Sequence, residues 1–387
     1  MASGRVLFYV QHLLGIGHLK RAATVVRALQ DAGLEVTLVS GGPPVPGLEV
    51  GNARLVQLDP VRAGDLYFKV LLDASGQTVD DEFRRRRRDR LLAIFRELRP
   101  NIVVTELFPF GRRQLRSELL PLIEAAWAMQ PRPALVSSVR DILVQPPKPE
   151  RVTEMVDLAD RWYDLVLVHG DPTLIPFEHT FPLADRLKGR IRYTGYVVDP
   201  PPANAGAAGR GEVIVSAGGG AVSEPLLAAA LEARAMTRLA DAPWRLLAGP
   251  SLDDDAVAWL RAAAPAGVTI ERARPDFTTL LANCTLSISQ GGYNTVMEVL
   301  ATRCRAVVVP YAGGLETEQT LRARLLAGRG ALTVVDESAL SPATLAAAVE
   351  AALSGPRPDA AGLDTGGAAA TARMLSALAS SRAGTAA

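Results

Sequence analysis

The residues best suited to chemistry are concentrated between Leu286 and Gln319. An apolar run, Leu286 to Ser289, is followed by the turn Gln290-Gly-Gly-Tyr-Asn-Thr295 and then by a helical pattern. Glycine lets the backbone approach a ligand closely, and the amides at a helix N-terminus attract anions. The pattern therefore predicts a strand, a glycine turn (Gly291 and Gly292) and a helix N-terminus that suit a phosphate with a sugar on either side.

Polar side chains in the same stretch add contacts for a sugar nucleotide. Asn294 and Glu298 are four residues apart and therefore share one helix face. Thr295 at the helix start can bind a phosphate, and Glu298 can accept hydrogen bonds from both hydroxyls of a ribose. Glu318 and Gln319, after the next apolar run, offer an acceptor and an amide to hexose hydroxyls. The alternative, that Glu298 is only a solvated helix carboxylate, is disfavoured by the joint pattern.

A second glycine turn follows the apolar run Glu212 to Ser216. Gly218, Gly219 and Gly220 give unobstructed amides for a diphosphate, although a tight strand-to-helix turn requires glycine equally well. Two other nucleotide motifs are missing from the sequence. No G-x-x-x-x-G-K-[ST] pattern occurs, and the dinucleotide pattern that begins at Gly15 lacks its third glycine. A P-loop nucleotidase and a nicotinamide enzyme are therefore not favoured.

In the first half of the chain, polar residues follow apolar runs that are typical of buried parallel strands. His18, Glu106, Asp141 and His169 lie at or just beyond such runs. Ligands of open parallel sheets bind beyond the carboxyl ends of the strands, so we expect these residues to face one site. Taken singly, each is more often a structural loop residue.

The order of apolar runs predicts two doubly wound α/β domains. The first opens with a strand at Arg5 to Val10, a helix at 19–32 and a strand at Leu34 to Val39, and further strands lie at 101–106, 134–139 and 165–169. The Pro-, Gly- and Ala-rich segment from Thr194 to Arg210 is the strongest linker signal. We therefore expect domains at 1–198 and 199–366, followed by a helix and tail at 367–387.

Composition limits the class of protein. The chain has 387 residues, 48% of them hydrophobic, and a net charge of +1, which gives no electrostatic argument for nucleic acid as a partner. Cys284 and Cys304 lack metal-ligand spacing and are predicted to be buried reduced thiols of a cytoplasmic protein. No signal peptide is recognisable, and no apolar run reaches the ~18–20 residues that span a bilayer. We expect a soluble protein, attached at most to a membrane surface.

One charged helix stands out, because Arg84 to Arg88 form an unbroken run of arginines. Five adjacent residues project all round a helix, so a solvated charged helix is the favoured interpretation. The alternative is attachment to anionic lipid or to an anionic acceptor, with Arg112, Arg113 and Arg116 enlarging the patch.

The sequence from Gln290 to Glu298, with Glu318 and Gln319, resembles the donor-binding signature of GT-B nucleotide-sugar glycosyltransferases. These include the UDP-glycosyltransferases and the peptidoglycan lipid-intermediate N-acetylglucosaminyltransferase. Gln290 stands where many members have His, and Tyr293 and Thr295 stand where they have Trp and Ser. The resemblance implies two Rossmann-like domains facing across a cleft.

The resemblance also implies roles for residues elsewhere in the chain. Arg272 to Phe277 lies where members bind the base, and the turn at Gly218 matches their phosphate loop. In the first half, Gly15, Gly17 and His18 resemble the acceptor loop, and Arg140 and Asp141 lie where relatives carry acceptor-side residues. His169 is assigned to the same side because it ends a neighbouring predicted strand.

We therefore expect an inverting hexosyltransferase that uses a nucleotide diphosphate sugar, a UDP-sugar by this resemblance, as substrate and needs neither metal nor other cofactor. His18 is the predicted general base, with Asp141 or Glu106 orienting it or serving instead. The acceptor is a small-molecule, lipid-linked or glycan hydroxyl compound, and contact with the inner membrane face is compatible with the sequence. Two alternatives stay open: a nucleotide-sugar 2-epimerase or hydrolase of the same fold, and a non-catalytic sugar-nucleotide or lipid-binding module.

Overall fold

The computed structural model describes residues 4–384 except 66–67, 145–147, 204–205, 219–223, 250–251, 314–315 and 359–361. The chain divides into two compact units. Unit 1 comprises Met1–Val197 and Asp364–Ala387, and unit 2 comprises Val198–Leu363. Unit 1 is thus built from two separate parts of the chain, and unit 2 lies between them in sequence.

Unit 1 is organised around a parallel sheet whose central strands are buried apolar runs. Its strands are β1 (Arg5–Val10), β2 (Glu35–Ser40), β3 (Arg54–Gln57), β6 (Ile102–Glu106), β7 (Ala134–Arg140), β8 (Leu165–His169) and β9 (Ile191–Tyr193), and a separate antiparallel pair is formed by β4 (Arg62–Ala63) and β5 (Leu71–Leu72). The order in the main sheet is β3-β2-β1-β6-β7-β8-β9. The direction of strand addition therefore reverses between β1 and β6, which is where doubly wound sheets bind ligands.

The helices of unit 1 are α1 (Gly17–Asp31), α2 (Asp81–Leu98), α3 (Arg116–Ala128), α4 (Pro149–Trp162) and α11 (Gly367–Gly384), with 3-10 turns at Arg113–Leu115, Phe177–His179 and Ala184–Leu187. Helices α1 to α4 lie between strands of unit 1 along the chain, and α11 lies near the C-terminus. The apolar stripe of α1, including Leu19, Val26 and Leu29, is buried against the sheet. The C-terminal helix α11 covers the same region, since its Leu375 belongs to that core.

Unit 2 repeats this architecture. Its strands are β10 (Val213–Ser216), β11 (Trp244–Ala248), β12 (Val268–Arg272), β13 (Leu286–Ser289), β14 (Ala306–Val308) and β15 (Thr333–Val334). Its helices are α5 (Glu224–Ala233), α6 (Asp254–Ala263), α7 (Phe277–Asn283), α8 (Tyr293–Thr302), α9 (Glu318–Gly328) and α10 (Pro342–Ser354), with 3-10 turns at Arg234–Met236 and Glu337–Ala339. The parallel order β12-β11-β10-β13-β14-β15 reverses between β10 and β13.

The arginine run on α2 is not uniformly solvated. Arg85 and Arg86 are exposed, but Arg87 is 2% exposed and forms an ion pair with Glu118 of α3. Arg87 also donates to the carbonyl of Gly41 at 3.0 Å, and Glu118 accepts a hydrogen bond from the hydroxyl of Tyr9 on β1. The prediction of a solvated helix is therefore wrong for Arg87, because its length lets it reach a carboxylate and carbonyls beneath α2.

The two cysteines are free and buried, as the sequence predicts. Among the described residues, no helix combines the length and the apolar character needed to cross a membrane.

Candidate active site

In unit 2 the two predicted glycine turns lie at the point where the sheet order reverses. Ser216 of β10 pairs with Ser289 of β13, so the residues after these strands are neighbours. An ideal Cβ on Gly218 would come 3.8 Å from Oε1 of Gln290, and Gly218 has a φ of +66°. Gly219 and Gly220, the rest of the predicted phosphate turn, lie outside the described residues.

Gly291 is required by its surroundings. Its φ is +80°, and a Cβ at this position would meet Val308 Cγ1 at 2.4 Å. Gly292 is the N-cap of α8, so the first-turn amides of that helix, and with them the positive end of its dipole, lie at Tyr293 to Thr295. The predicted strand, glycine turn and helix N-terminus are all present, and this end of α8 favours an anion.

The side chains predicted to bind the nucleotide lie on α8 as the spacing implies. Asn294 and Glu298 are one turn apart on one face, and both are half-buried, as is Thr295. Tyr293, by contrast, is buried beneath the guanidinium of Arg322, which lies 5.0 Å from the ring centroid. Tyr293 therefore joins α8 to α9.

Glu318 and Gln319 differ from the predicted pair of hexose ligands. Glu318 is 2% exposed and accepts a hydrogen bond from Arg322 Nη2 at 2.6 Å. Since the carboxylate is buried in an ion pair, the prediction that it binds hexose hydroxyls is not supported by this geometry. Gln319 is half-buried and its Oε1 accepts from the amide of Tyr311 at 3.2 Å.

The predicted base-binding segment is held in place by Arg272. The Nη1 of Arg272 donates to the carbonyl of Leu252 at 2.6 Å, and its Nη2 pairs with Asp254. The guanidinium of Arg272 thus holds Leu252 and Asp254, at the start of α6, close to the end of β12. Phe277 is half-buried at the start of α7.

In unit 1, His18 and Glu106 meet at the reversal point between β1 and β6. His18 Nδ1 lies 3.0 Å from Glu106 Oε1, and Arg21, one turn along α1, donates to the same carboxylate oxygen. The imidazole of His18 is 14% exposed, whereas Glu106 and Arg21 are buried. Sequence reasoning missed Arg21, although the spacing of three residues from His18 places both side chains on one helix face.

Glu106 is anchored from its other side by a chain of buried groups. Ser138 Oγ donates to Glu106 Oε2 at 2.5 Å and lies 2.9 Å from His169 Nε2, while His169 Nδ1 lies 2.9 Å from Thr194 Oγ1. His169 is fully buried. The imidazole of His169 thus lies between the hydroxyls of Ser138 and Thr194, and its predicted contact with an acceptor stays a prediction.

The other residues predicted to contact the acceptor or to orient His18 lie partly in the interior of unit 1 and partly at its surface. Asp141 is buried and accepts from the hydroxyl of Tyr196 at 3.1 Å, so the carboxylate that holds His18 is Glu106. Arg140, the last residue of β7, is half-buried. Gly15 is exposed in the loop that leads into α1, and Gly17 is the exposed first residue of that helix.

The charge states of His18 and Glu106 follow from their surroundings. Burial, and then the charge of Arg112, lowers the pKa of His18 from 6.5 to about 3. Burial alone would raise the pKa of Glu106, but the charge of Arg21 and the hydrogen bond from His18 hold that pKa well below its usual range. An ionised carboxylate only accepts, so we assign the proton to Nδ1 of His18 from its contact with Glu106, although Nη2 of Arg21, itself a donor, also lies 3.2 Å from Nδ1. Nε2 of the neutral ring is then the nitrogen that can accept a proton.

Acidification from pH 6.5 towards pH 4.5 is expected to destabilise unit 1. Burial, the first cause in each case, lowers the pKa of His12, His18 and His169 below the 6.5 of an unfolded histidine. The unfolded chain therefore binds more protons in this pH window than the folded chain does. As the pH falls, the free energy of unfolding decreases by up to ~1.4 kcal/mol per pH unit for each histidine. Hydrogen exchange of unit 1 peptides, followed as a function of pH, would measure this loss of stability.

The exposed His179 supplies the control for that measurement. His179→Gln should keep the pH dependence, and His169→Gln should reduce it. Equal protection of unit 1 at pH 7 and pH 5 would contradict the assignment of these buried neutral histidines.

Comparison with known proteins gives a match over most of unit 2. Residues 217–364 match the family model described as the glycosyltransferase family 28 C-terminal domain. Two curated relatives carry the name UDP-N-acetylglucosamine--N-acetylmuramyl-(pentapeptide) pyrophosphoryl-undecaprenol N-acetylglucosamine transferase. The relative from Ralstonia nicotianae is 38% identical over 71 residues, and that from Rhizobium leguminosarum bv. trifolii is 36% identical over 81 residues. These segments are 18% and 21% of this chain, and 20% and 22% of the relatives' own length.

Solved structures resemble the whole chain. The glycosyltransferase of kitacinnamycin aligns with a TM-score of 0.63 at 18% identity, covering 98% of this chain and 100% of the other. Acinetobacter baumannii MurG aligns with a TM-score of 0.55 at 17% identity, covering 96% and 95%. At these identities the likeness is one of fold, and the predicted GT-B fold with two Rossmann-like domains is confirmed.

Proposed function

We propose that this chain, a GT-B relative of MurG and the UDP-glycosyltransferases that carries a glycosyltransferase family 28 C-terminal domain, transfers a hexose from a UDP-sugar to a hydroxyl acceptor. One observation carries the proposal. Helix α8, with Asn294, Thr295 and Glu298, lies within the matched segment 217–364. Unit 2 would bind the donor, and unit 1 would supply the groups that act on the acceptor.

Donor binding is supported by the end of β13 and the start of α8. The first-turn amides of α8 and the side chain of Thr295 suit the diphosphate, whose charge the helix dipole stabilises. Glu298, one turn further along, suits the two ribose hydroxyls. The same amides would stabilise the charge that develops on the leaving diphosphate, so the proposed reaction requires no metal ion.

Transfer is proposed to occur by single displacement with His18 as general base. Nε2 of His18 takes the proton of the acceptor hydroxyl, whose oxygen bonds to the anomeric carbon as the bond from that carbon to the diphosphate oxygen breaks. Glu106 holds Nδ1 at 3.0 Å, fixes the tautomer and stabilises the imidazolium that forms. A single displacement inverts the anomeric configuration.

The acceptor class is proposed from the relatives alone. Their printed names include an undecaprenol-linked acceptor, which supports lipid-linked compounds beside glycans and small molecules. We also propose a cytoplasmic location, in keeping with the free, buried Cys284 and Cys304, and peripheral contact at the inner membrane face if the acceptor is lipid-linked.

Thermal scanning of the full chain against a panel of nucleotide sugars tests the donor proposal. A UDP-sugar should raise the melting temperature, and Glu298→Gln should weaken its binding by roughly 10–100-fold, because it removes hydrogen bonds from ribose hydroxyls to a charged acceptor. The variant should also discriminate less between UDP and 2′-deoxy-UDP.

Glu232→Gln is the matched control, since Glu232 is an exposed helix carboxylate of the same unit. Stabilisation by no nucleotide sugar would contradict the proposed function. Formation of an epimer or of free sugar from donor alone would point instead to the epimerase or hydrolase.

A further inference from the structure

The two cysteines of the chain lie just before neighbouring strands of unit 2. Cys284 follows α7 and precedes β13, and Cys304 follows α8 and precedes β14. These strands pair in parallel, with Ser287 opposite Ala306 and the amide of Ser287 donating to the carbonyl of Arg305 at 2.8 Å. Continued by two residues towards the starts of the strands, this register brings Cys304 beside the residue that follows Cys284.

This arrangement suits a covalent bond between the two sulfur atoms. Parallel strands lie about 4.8 Å apart and rise about 3.3 Å per residue, so the register places the two Cα atoms about 6 Å apart, within the ~4.4–6.8 Å that disulfides span. The two thiols share a hydrogen bond, and the sulfur of Cys284 also lies 3.3 Å from the carbonyl oxygen of Leu281. Both cysteines are free, and each is 6% exposed. A disulfide therefore requires movement of side chains rather than of strands.

The two thiols differ in acidity. The hydrogen bond with Cys304, and then burial, raise the pKa of Cys284. The same hydrogen bond lowers the pKa of Cys304 despite its burial, and Thr302 adds a second hydrogen bond to this sulfur. The thiolate rather than the thiol is the nucleophile. Cys304 is therefore the sulfur that reacts first with an oxidant, and Cys284 is the sulfur that completes the bond.

We propose that Cys284 and Cys304 form a redox-sensitive thiol pair, which hydrogen peroxide converts to a disulfide and a dithiol reductant restores. The Cys304 thiolate attacks one peroxide oxygen, the O–O bond breaks, and a sulfenic acid and hydroxide form. The sulfur of Cys284 then attacks the sulfenic sulfur, and the departing hydroxyl leaves as water with the thiol proton. The first hydroxide takes up the proton that Cys304 had lost. Two thiols are thus oxidised while one peroxide is reduced to two waters.

The disulfide acts on the segment between the two cysteines. It closes a loop that contains β13, the turn at Gly291 and the whole of α8. Because the ends of this segment can then no longer separate, local opening of α8 becomes less favourable. An effect on donor binding would rest on the proposed function, whereas the thiol pair and the protection of α8 rest on unit 2 alone.

Mass spectrometry of the full chain gives a direct readout, because the chain contains only these two cysteines. Reduced native protein is treated with hydrogen peroxide, and the remaining thiols are then blocked. The monomer should lose the mass of two hydrogens and yield peptides linked through Cys284 and Cys304, and a dithiol should reverse both changes. Hydrogen exchange of α8 peptides should be about tenfold or more slower in the disulfide form.

Two serine variants separate the roles of the sulfurs. Cys284→Ser should accumulate a sulfenic acid at Cys304 that dimedone traps, whereas Cys304→Ser should react with peroxide about tenfold more slowly or less. Peroxide-treated Cys284→Ser is also the control for hydrogen exchange, because Met297 of α8 is still open to oxidation there but no disulfide can form. If either variant fails to fold, the linked peptides of the wild-type protein carry the test.

Three results for the wild-type protein would overturn the thiol pair: oxidation to sulfinic acid without linked peptides, a disulfide only between two chains, or no reaction with peroxide. Unchanged hydrogen exchange of α8 in the disulfide-linked monomer would overturn the protection of this helix. The measurements use neither a nucleotide sugar nor turnover. Linked peptides in a protein that ignores nucleotide sugars would therefore uphold the thiol pair while removing the proposed function.

Discussion

Replacing His18 with alanine or asparagine is expected to lower kcat for glycosyl transfer by about 10²–10⁴-fold and to leave donor binding unchanged. Alanine removes the imidazole, while asparagine can still donate to Glu106 in place of Nδ1, which lies 3.0 Å from that carboxylate. Neither replacement supplies the second nitrogen that takes the proton. Single-turnover rates with a labelled UDP-sugar, and nucleotide affinity by calorimetry, measure the two effects separately.

Lys20→Gln is the control for this experiment, because Lys20 is an exposed residue of the same helix, two positions from His18. It should retain wild-type turnover. Undiminished turnover in both His18 variants would show that this residue is not the base. Reduced turnover together with reduced donor affinity would indicate a disturbed fold instead.

Replacing Arg87 with methionine is expected to destabilise unit 1 by about 3–5 kcal/mol, since it leaves the buried carboxylate of Glu118 without its ion pair. Arg87 also donates to the carbonyls of Gly41 and Asp59, so the loss affects the segments after β2 and β3. Hydrogen exchange of the β1 and β2 peptides reports the opening of unit 1 without assuming two-state unfolding of the whole chain.

Arg86, the exposed neighbour of Arg87, provides the control variant. Arg86→Met should change protection by no more than ~0.5 kcal/mol, because the side chain of Arg86 is 54% exposed. Adding Glu118→Leu to Arg87→Met should restore part of the loss, since it removes the stranded charge. Wild-type protection in Arg87→Met alone would show that the ion pair adds nothing to the stability of unit 1.

The arginine run shows why some of the structure could not be predicted from the sequence. Arg87 looks like its four neighbours, and its partner Glu118 is 31 residues away on another helix. The strands were predictable because apolar runs in parallel sheets are buried on both faces. The turn at Gly291 was predictable because its positive φ and the closeness of Val308 favour glycine.

Other features were visible in the sequence but interpreted differently. Glu318 and Arg322 are four residues apart, the spacing of a helical ion pair, and the structure contains that pair. The sequence interpretation assigned Glu318 to a sugar hydroxyl instead. The chain from Glu106 through Ser138 to His169 joins three strands, so it required the order of the sheet, which local patterns do not give.

The discontinuity of unit 1 has a consequence for synthesis on the ribosome. Helix α11, Gly367–Gly384, packs against α1 and is the last described helix to be made. Until it emerges, the apolar surface that Leu375 covers stays open to solvent, although every strand of that sheet has been translated. At ~5–20 residues per second, translation of the intervening unit exposes this surface for on the order of ten seconds or more.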